Sequence, residues 1–347
     1  MHAQLICAVL FTTALLAREH TDVIVMQNGD RITGEIKSLE SGVVRIDIDY
    51  VDGAVSVAWS KVARIESTQP FIVKTEDGSV FTGALGTDPA PAGRPMTLRV
   101  TDGSERIAVE KAQVVKLEET SREFFQALSG AINLGVVYSK GNNATQYNLG
   151  SDVEYRRERW GFGGVFSSNL SANSGSSTAT HNQLNLTAYR LMTRKNYFSS
   201  VFGGVLQSSA QGINVQTTLG VGIGRFLKNT NRVRFSVLGG MVWQSTDYQQ
   251  SIMPIARQQV YGGAIVTDLN VFLFKKTNLS ATSTVVPAFS DPGRVFTNAN
   301  ISYYLKLFSN LSWNLSFYGN WDTNPPGTLA GSDYGYSSGI KWTYGYK

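Results

Sequence analysis

From Ala131 onward the chain repeats one pattern: segments of about ten residues in which apolar and small polar residues alternate, separated by stretches rich in Gly, Asn, Ser and Pro. A period of two is that of a β-strand, whose successive side chains point to opposite faces. In the first segment Ile132, Leu134, Val136 and Tyr138 share one face, and Ala131, Asn133, Gly135 and Ser139 share the other. The second sets Tyr147, Leu149, Val153 and Tyr155 against Gln146, Asn148, Gly150, Asp152 and Glu154, and the third sets Trp160, Phe162, Phe166 and Leu170 against Gly161, Gly163, Ser167 and Asn169. Further segments centre on Leu186, Phe202, Leu219, Val237, Ile265, Ala281, Ile301, Leu315 and Ile340, which makes twelve. The ninth, Asn278 to Val286, alternates least well and runs into Pro287.

Alternation alone would also suit a soluble sandwich, so the polar face decides. A strand face turned to bulk water carries Lys and Glu, yet Leu311, Trp313, Leu315, Phe317 and Trp321 stand opposite Asn310, Ser312, Asn314, Ser316 and Asn320. Small uncharged polar side chains suit a crowded or hydrated lumen, which turns the apolar face to lipid. Residues 121–347 hold 33 of the 38 aromatic residues but only 28 charged residues among 227, the wrong exchange for a water-soluble domain. Tyr138, Tyr155, Trp160, Tyr197, Trp243, Tyr303 and Trp321 sit at segment ends, where interfacial girdles need them. Nowhere is there a run of about 18 apolar residues, which excludes a helical span. The fold expected is all-β: a 12-stranded antiparallel transmembrane β-barrel.

Connections at 156–159, 193–196, 228–231, 275–278 and 307–310 are short and mostly basic, whereas those at 172–179, 208–214, 246–257, 288–294 and 322–332 are generally longer and rich in Gly, Pro and Ser. Outer-membrane barrels have short periplasmic turns and longer external loops, so the preceding domain is expected in the periplasm. The inward-facing charges are Asp152, Glu154, Arg156, Arg234, Asp268 and Lys341, candidates to set lumen selectivity. Closure pairs the last strand with the first and brings Lys341 within roughly 10 Å of Asp152 or Glu154. A structural ion pair bracing that seam is the competing role.

Residues 18–120 differ in kind, with 12 Lys and Arg against 17 Asp and Glu, a net −5 beside the +10 of residues 121–347. The basic pI near 9.1 therefore arises in the barrel, and nucleic acid is not an expected partner. Asn28-Gly29-Asp30-Arg31-Ile32-Thr33-Gly34 returns as Asp77-Gly78-Ser79-Val80-Phe81-Thr82-Gly83, with Gly29 and Gly34 matching Gly78 and Gly83 at a spacing of 49 residues. Val62-Ala63-Arg64-Ile65-Glu66 likewise returns as Val114-Val115-Lys116-Leu117-Glu118. The pattern predicts a duplicated small SH3-like or Sm-like β domain of five strands per copy, with an inserted loop near Pro89, Pro91 and Pro95. It could bind a periplasmic protein or peptide, or serve packing alone. The uncharged stretch 5–16 has the length of a secretory h-region, and cleavage after Ala17 removes Cys7, the single cysteine. The expected organisation is a signal peptide at 1–17, a periplasmic duplicated domain at 18–120, a linker at 121–129 able to form a helical turn or two, and the barrel at 130–347.

This combination, with Gly130-Ala131-Ile132-Asn133-Leu134-Gly135-Val136-Val137-Tyr138-Ser139-Lys140-Gly141 as the opening of the barrel, resembles the salt-stress-induced outer-membrane protein family. The resemblance covers the mature chain. It implies a location in the outer membrane of a Gram-negative bacterium and this fold, but supplies no substrate and no catalytic residue. Ile340, Trp342, Tyr344 and Tyr346 are similar to an outer-membrane insertion signal, which would engage the insertion machinery. The chain departs from that pattern by ending in Lys347 instead of an aromatic residue.

After removal of the signal only His20 and His181 remain, too few for histidine-rich zinc or haem ligation. The Asn-Gly-Asp sequences fit turn chemistry rather than calcium loops, and no cofactor is expected. His181 with a serine and Asn182 or Asn185 invites comparison with a twelve-stranded lipase, but so many Ser and Asn residues produce such a triple by chance. The chain is not expected to be an enzyme. The favoured function is a passive diffusion channel for small solutes or ions with a periplasmic docking domain. The alternatives are a non-conducting envelope-structural or partner-docking protein and, remotely, an outer-membrane lipid hydrolase.

Overall fold

A computed structural model describes residues 21–344 apart from 52, 89–95, 121–127, 140–143, 157–158, 173–178, 193–195, 250–256, 274–276 and 309–310. The signal segment, the prolines of the inserted loop, most of the linker and Lys347 lie outside the described residues.

The N-terminal domain begins with β1 (Asp22–Met26), β2 (Arg31–Glu40), β3 (Val43–Asp47), β4 (Val55–Ala58) and a 3-10 turn, Trp59–Lys61. It continues with β5 (Val62–Thr75), β6 (Val80–Thr87), β7 (Thr97–Asp102), β8 (Glu105–Glu110), a second 3-10 turn, Lys111–Gln113, and β9 (Val114–Glu119). The strand order is β4-β3-β2-β1-β5-β6-β7-β8, and β9 pairs with both β2 and β5. The two halves thus run through the same sequence of elements. Five separate strands per copy were expected, whereas nine are built, because β5 is continuous and serves both halves. Its first part pairs with β1 through Ile24 and Ile65, and its second part pairs Val73 with Phe81 of β6 and with Leu117 of β9. A bulge between Ser67 and Pro70 marks the changeover, where proline's missing N–H costs no ladder bond.

The repeated glycines have a mechanical reason. Gly29 and Gly78 hold φ of +92° and +84° in their hairpin turns, a region open to glycine. A Cβ on Gly34 would lie 2.2 Å from the Asp47 carbonyl oxygen, and one on Gly83 2.4 Å from that of Thr101, so both mark the same close crossing of chains. Ile24, Ile36, Leu39, Ile46, Ile65, Phe71, Val73, Leu98 and Leu117 are buried in one apolar core drawn from both halves.

The second domain is a closed barrel of twelve strands, each antiparallel to its neighbours. These are β10 (Leu128–Ser139), β11 (Ala144–Arg156), β12 (Trp160–Ala172), β13 (Ala179–Leu191), β14 (Tyr197–Ser208) and β15 (Ile213–Asn229). They continue as β16 (Val233–Tyr248), β17 (Arg257–Leu273), β18 (Thr277–Pro287), β19 (Val295–Lys306), β20 (Leu311–Asp322) and β21 (Ser332–Tyr344). The first strand starts at Leu128, inside the segment read as linker, and the ninth forms in full with Pro287 as its last residue. Parity follows the sequence: Leu134, Leu219, Met241 and Tyr336 are 60%, 55%, 67% and 78% exposed on the outer surface, a band of apolar side chains that water would not tolerate.

The inner surface is less uniform than the alternation suggests. Asn, Ser and Thr dominate it on β18 to β20 and the charged Asp152 and Glu154 enter it from β11, but Phe198, Leu206, Leu238, Val242, Val260, Ala264 and Val286 are buried inside the barrel on β14 and β16 to β18. Inward glycines on β15 make room for them. A Cβ on Gly220 or Gly224 would lie 2.3 Å from the ring of Phe202 or Phe198, respectively.

Candidate functional site: the barrel lumen

One cavity of about 1740 Å³ occupies the barrel interior. Its lining starts at Ser38, Arg45 and Val55 of the N-terminal domain, follows the inward faces of the strands, and ends at Pro325 and Leu329 between β20 and β21. One end, the near rim, is thus covered by the domain, and the other, the far rim, by an infolded loop.

Two turn residues hold the domain to the near rim. Asn196 Nδ2 donates to the Glu76 carbonyl oxygen at 2.5 Å, and Asn231 Nδ2 donates to that of Val114 at 2.7 Å. Asn196 itself adopts φ of +58°, and a Cβ on Gly78 would stand 2.8 Å from its backbone nitrogen. The repeat glycine Gly78 is therefore needed twice, for its own turn and for this contact.

The expected lumen charges divide into groups toward the near rim. Lys341 Nζ lies 2.9 Å from Asp152 Oδ1 and 4.2 Å from the centroid of the Tyr304 ring. Asp268 takes hydrogen bonds from Asn270 Nδ2 and Thr282 Oγ1 and feels the charges of Arg234 and Glu154. Arg156 ends β11 with its side chain outside the described residues. Lys306 was missed by the sequence reading although it shares the inward parity of Tyr304; it lies within range of the like charge of Arg45 on the domain.

The far rim carries two clusters that alternation does not reveal. Arg294, 1% exposed, is held bidentately by Asp322, with Nε 2.9 Å from Oδ1 and Nη2 2.6 Å from Oδ2. Its Nη1 also donates to Gln258 Oε1 at 2.9 Å, its Nη2 reaches the Tyr248 hydroxyl at 3.3 Å, and the guanidinium sits 4.6 Å from the centre of the Phe296 ring. A buried charge is tolerated only when its donors are satisfied in this way. Arg294 thereby ties β16, β17 and β20 to the loop between β18 and β19. Leu329 packs against Leu206, Ile213 and Tyr248, which carries the loop between β20 and β21 to the opposite wall.

His181 Nδ1 lies 2.7 Å from Asp333 Oδ2, and the Ser208 hydroxyl donates to the same oxygen at 2.6 Å. The imidazole stacks on Tyr318 with ring centres 4.2 Å apart. The triple of His181 with Asn182 or Asn185 is not assembled. Asn182 faces outward and bonds Ser168 and Gln207, and Asp333, 152 residues away in sequence, takes the place beside the imidazole. Ser208 and His181 share an acceptor instead of bonding each other, so the hydroxyl has no adjacent base.

Among solved structures the chain is similar to a porin refined at 1.8 Å, with 11% identity over 79% of this chain and 98% of that one at a TM-score of 0.29. It is also similar to the translocator domain of the autotransporter NalP from Neisseria meningitidis, with 12% identity over 62% and 87% of the two chains and a TM-score of 0.32. The CymD monoaromatic hydrocarbon channel is 8% identical over 79% and 87%, with a TM-score of 0.28. No curated protein sequence matches the chain. A family model described as a protein of unknown function, DUF481, matches residues 132–343.

Proposed function

The chain belongs to the DUF481 family, and from that premise we propose that it is an outer-membrane channel of a Gram-negative bacterium for small solutes or ions, with its N-terminal domain in the periplasm. One observation carries the reading: a cavity of about 1740 Å³ runs through a closed barrel whose outer face is apolar and whose inner wall is rich in uncharged amides and hydroxyls. A barrel leaves no unpaired strand edge in lipid, and a lumen of this polarity holds water. On this reading outer-membrane lipid surrounds the strands and the insertion machinery assembles them through β21. Residues 18–120 form a duplicated SH3-like or Sm-like unit that docks on the near rim and offers its free faces to a periplasmic protein or peptide. The salt-stress association of the resembling family extends to this chain in the same proposal. Catalysis has no part in it, since the Ser208 hydroxyl is committed to Asp333.

A second reading draws on the covered ends. The domain lies over the near rim and Leu329 enters the far one, as a non-conducting envelope protein would require. Efflux of a small fluorescent anion from liposomes containing the folded full chain separates the two. The channel reading expects release above that of protein-free liposomes, and the structural reading expects none. Location is tested in intact cells by a membrane-impermeant thiol reagent. A cysteine at Ser176 should react from outside and one at Asn229 should not, and the reverse would contradict the proposed orientation.

A further inference from the structure

The barrel wall is joined unevenly where its first strand meets its last. β10 and β21 pair from Gly130 with Tyr344 to Leu134 with Ile340, which is the near-rim half of the seam. Both strands run on toward the far rim, β10 to Ser139 in register with β11 and β21 back to Ser332 in register with β20. Among the described residues no ladder joins 135–139 of β10 to 332–339 of β21. The unpaired stretch of β10 is roughly 16 Å long at about 3.3 Å per residue. Two glycines meet where the ladder stops. A Cβ on Gly135 would lie 2.7 Å from the Ser338 carbonyl oxygen, and one on Gly339 2.5 Å from that of Leu134, so the backbones touch at this point and are unpaired beyond it. The outer side of the unpaired stretch carries Tyr334 and Tyr336, the most exposed aromatic side chains on the described barrel strands. Its inner side is polar, with Asn133, Asn148 and Ser337 lining the cavity. Backbone N–H and C=O groups on a bare strand edge find no partner in lipid, and such an edge is tolerated at membrane depth only where it meets a water-filled cavity or another hydrogen-bonding group.

We propose that the far-rim half of this seam is a lateral slit that admits the polar head of a membrane phospholipid into the lumen while its acyl chains stay in the bilayer. The ester and phosphate oxygens of the head accept hydrogen bonds from the N–H groups of the two strand edges, which relieves the cost of leaving them unpaired. Asn148 and Ser337 then face the head from within, and Tyr334 and Tyr336 flank the chains outside. An acyl chain would gain nothing from an inner wall of amides and hydroxyls, so the head enters and the chain does not. The contact at Gly135 and Gly339 ends the slit partway down the wall, and only the leaflet at the far rim has access to it. The inference goes beyond the channel reading and takes from it only the hydrated lumen.

The test uses the folded full chain in phosphatidylcholine vesicles that contain a photoactivatable phosphatidylcholine, with the diazirine either on the head or at the end of a chain, and maps the labelled residues by mass spectrometry. The head probe is expected to label Asn148 and Ser337 and to spare Gln216, which lines the lumen on β15 away from the seam. The chain probe is expected to label outward residues alone, such as Leu134 and Tyr336. Ser337→Trp fills the inner mouth of the slit and should abolish labelling of Asn148. Ser337→Met is the second variant if tryptophan prevents folding, which retention of the heat-resistant compact form on gels reports. Unlabelled Asn148 and Ser337, equal labelling of Gln216, inward labelling by the chain probe, or unchanged labelling of Asn148 in the folded variant overturns the proposal. Inward labelling of a protein that passes no current keeps the slit and discards the channel, and current without inward labelling does the reverse, so the two failures are separable.

Discussion

Lys341 Nζ stands 2.9 Å from Asp152 Oδ1, an ion pair that reaches across β10 to join the last strand of the barrel to the second. The seam it spans is short: β10 and β21 pair only from Gly130 with Tyr344 to Leu134 with Ile340, whereas β10 pairs with β11 along the whole of its own length. Side chains therefore have more to contribute at this seam than elsewhere. Bracing is the role the geometry favours for this pair. Asp152→Asn and Lys341→Met should each lower the unfolding midpoint of the barrel, with a coupling of about 0.5 to 1 kcal/mol in a double-mutant cycle, and should leave the cation-to-anion ratio of any current unchanged. Urea unfolding in lipid vesicles and reversal potentials check the two halves of that statement.

The parity of β20 predicts a large asymmetry between neighbours. Leu315 is 41% exposed on the outer face, and Asn314 is 6% exposed inside, bonded to Ser316. Leu315→Arg places a charge in the lipid and should cost about 2 to 4 kcal/mol of folded barrel. Asn314→Ser should cost about 1 kcal/mol, the loss of one hydrogen bond. Refolding yield into vesicles, read by the compact gel form, should separate them clearly, and equal losses would mean that the faces are reversed.

Docking of the N-terminal domain can be captured covalently. A Cβ on Gly42 would lie 3.5 Å from the Asn231 Cβ, at the short end of the separation a disulfide spans, about 3.5 to 4.5 Å. In Gly42→Cys/Asn231→Cys, oxidation should give an intramolecular bond seen as a gel shift reversed by reductant. Residues 22–120 alone should also give a β-sheet circular dichroism spectrum with a cooperative melt, because their core is drawn wholly from their own strands.

The same fragment should respond to acid through Asp77. The Thr75 hydroxyl bonded to it holds its carboxyl below the usual carboxylate range against the opposing cost of burial, and the Ser79 amide and hydroxyl add to the lowering. A pKa lower in the folded than in the unfolded chain contributes stability above the unfolded value, and that contribution is lost as pH falls through the folded one. The melting temperature of the fragment should fall below about pH 4, and Asp77→Asn should melt lower at pH 7 and lose less on the same descent.

Much of the barrel was legible because lipid outside and lumen inside impose a single period of two on every strand. The inward direction of Asp152, Glu154 and Lys341, and the closeness of Lys341 to Asp152, followed from parity and closure alone. What stayed hidden joins residues with no period between them. Arg294 meets Asp322 across a hairpin, His181 meets Asp333 from the other side of the chain, and Asn196 and Asn231 find backbone acceptors in another domain. The continuity of β5 escaped because Pro70 reads as a break, while a bulge lets the strand run on. The apolar wall escaped because Val242, Ala264 and Val286 earn their place through one another, on three strands, rather than through their own segments.

The central claim is that the lumen conducts. Single-channel recording in planar bilayers, made with the folded full chain and with Gly42→Cys/Asn231→Cys in oxidised and reduced form, tests it most directly. The account predicts discrete current steps from the full chain, smaller or rarer steps when the domain is locked to the near rim, and their recovery on reduction. Silent membranes from all three folded preparations would contradict it.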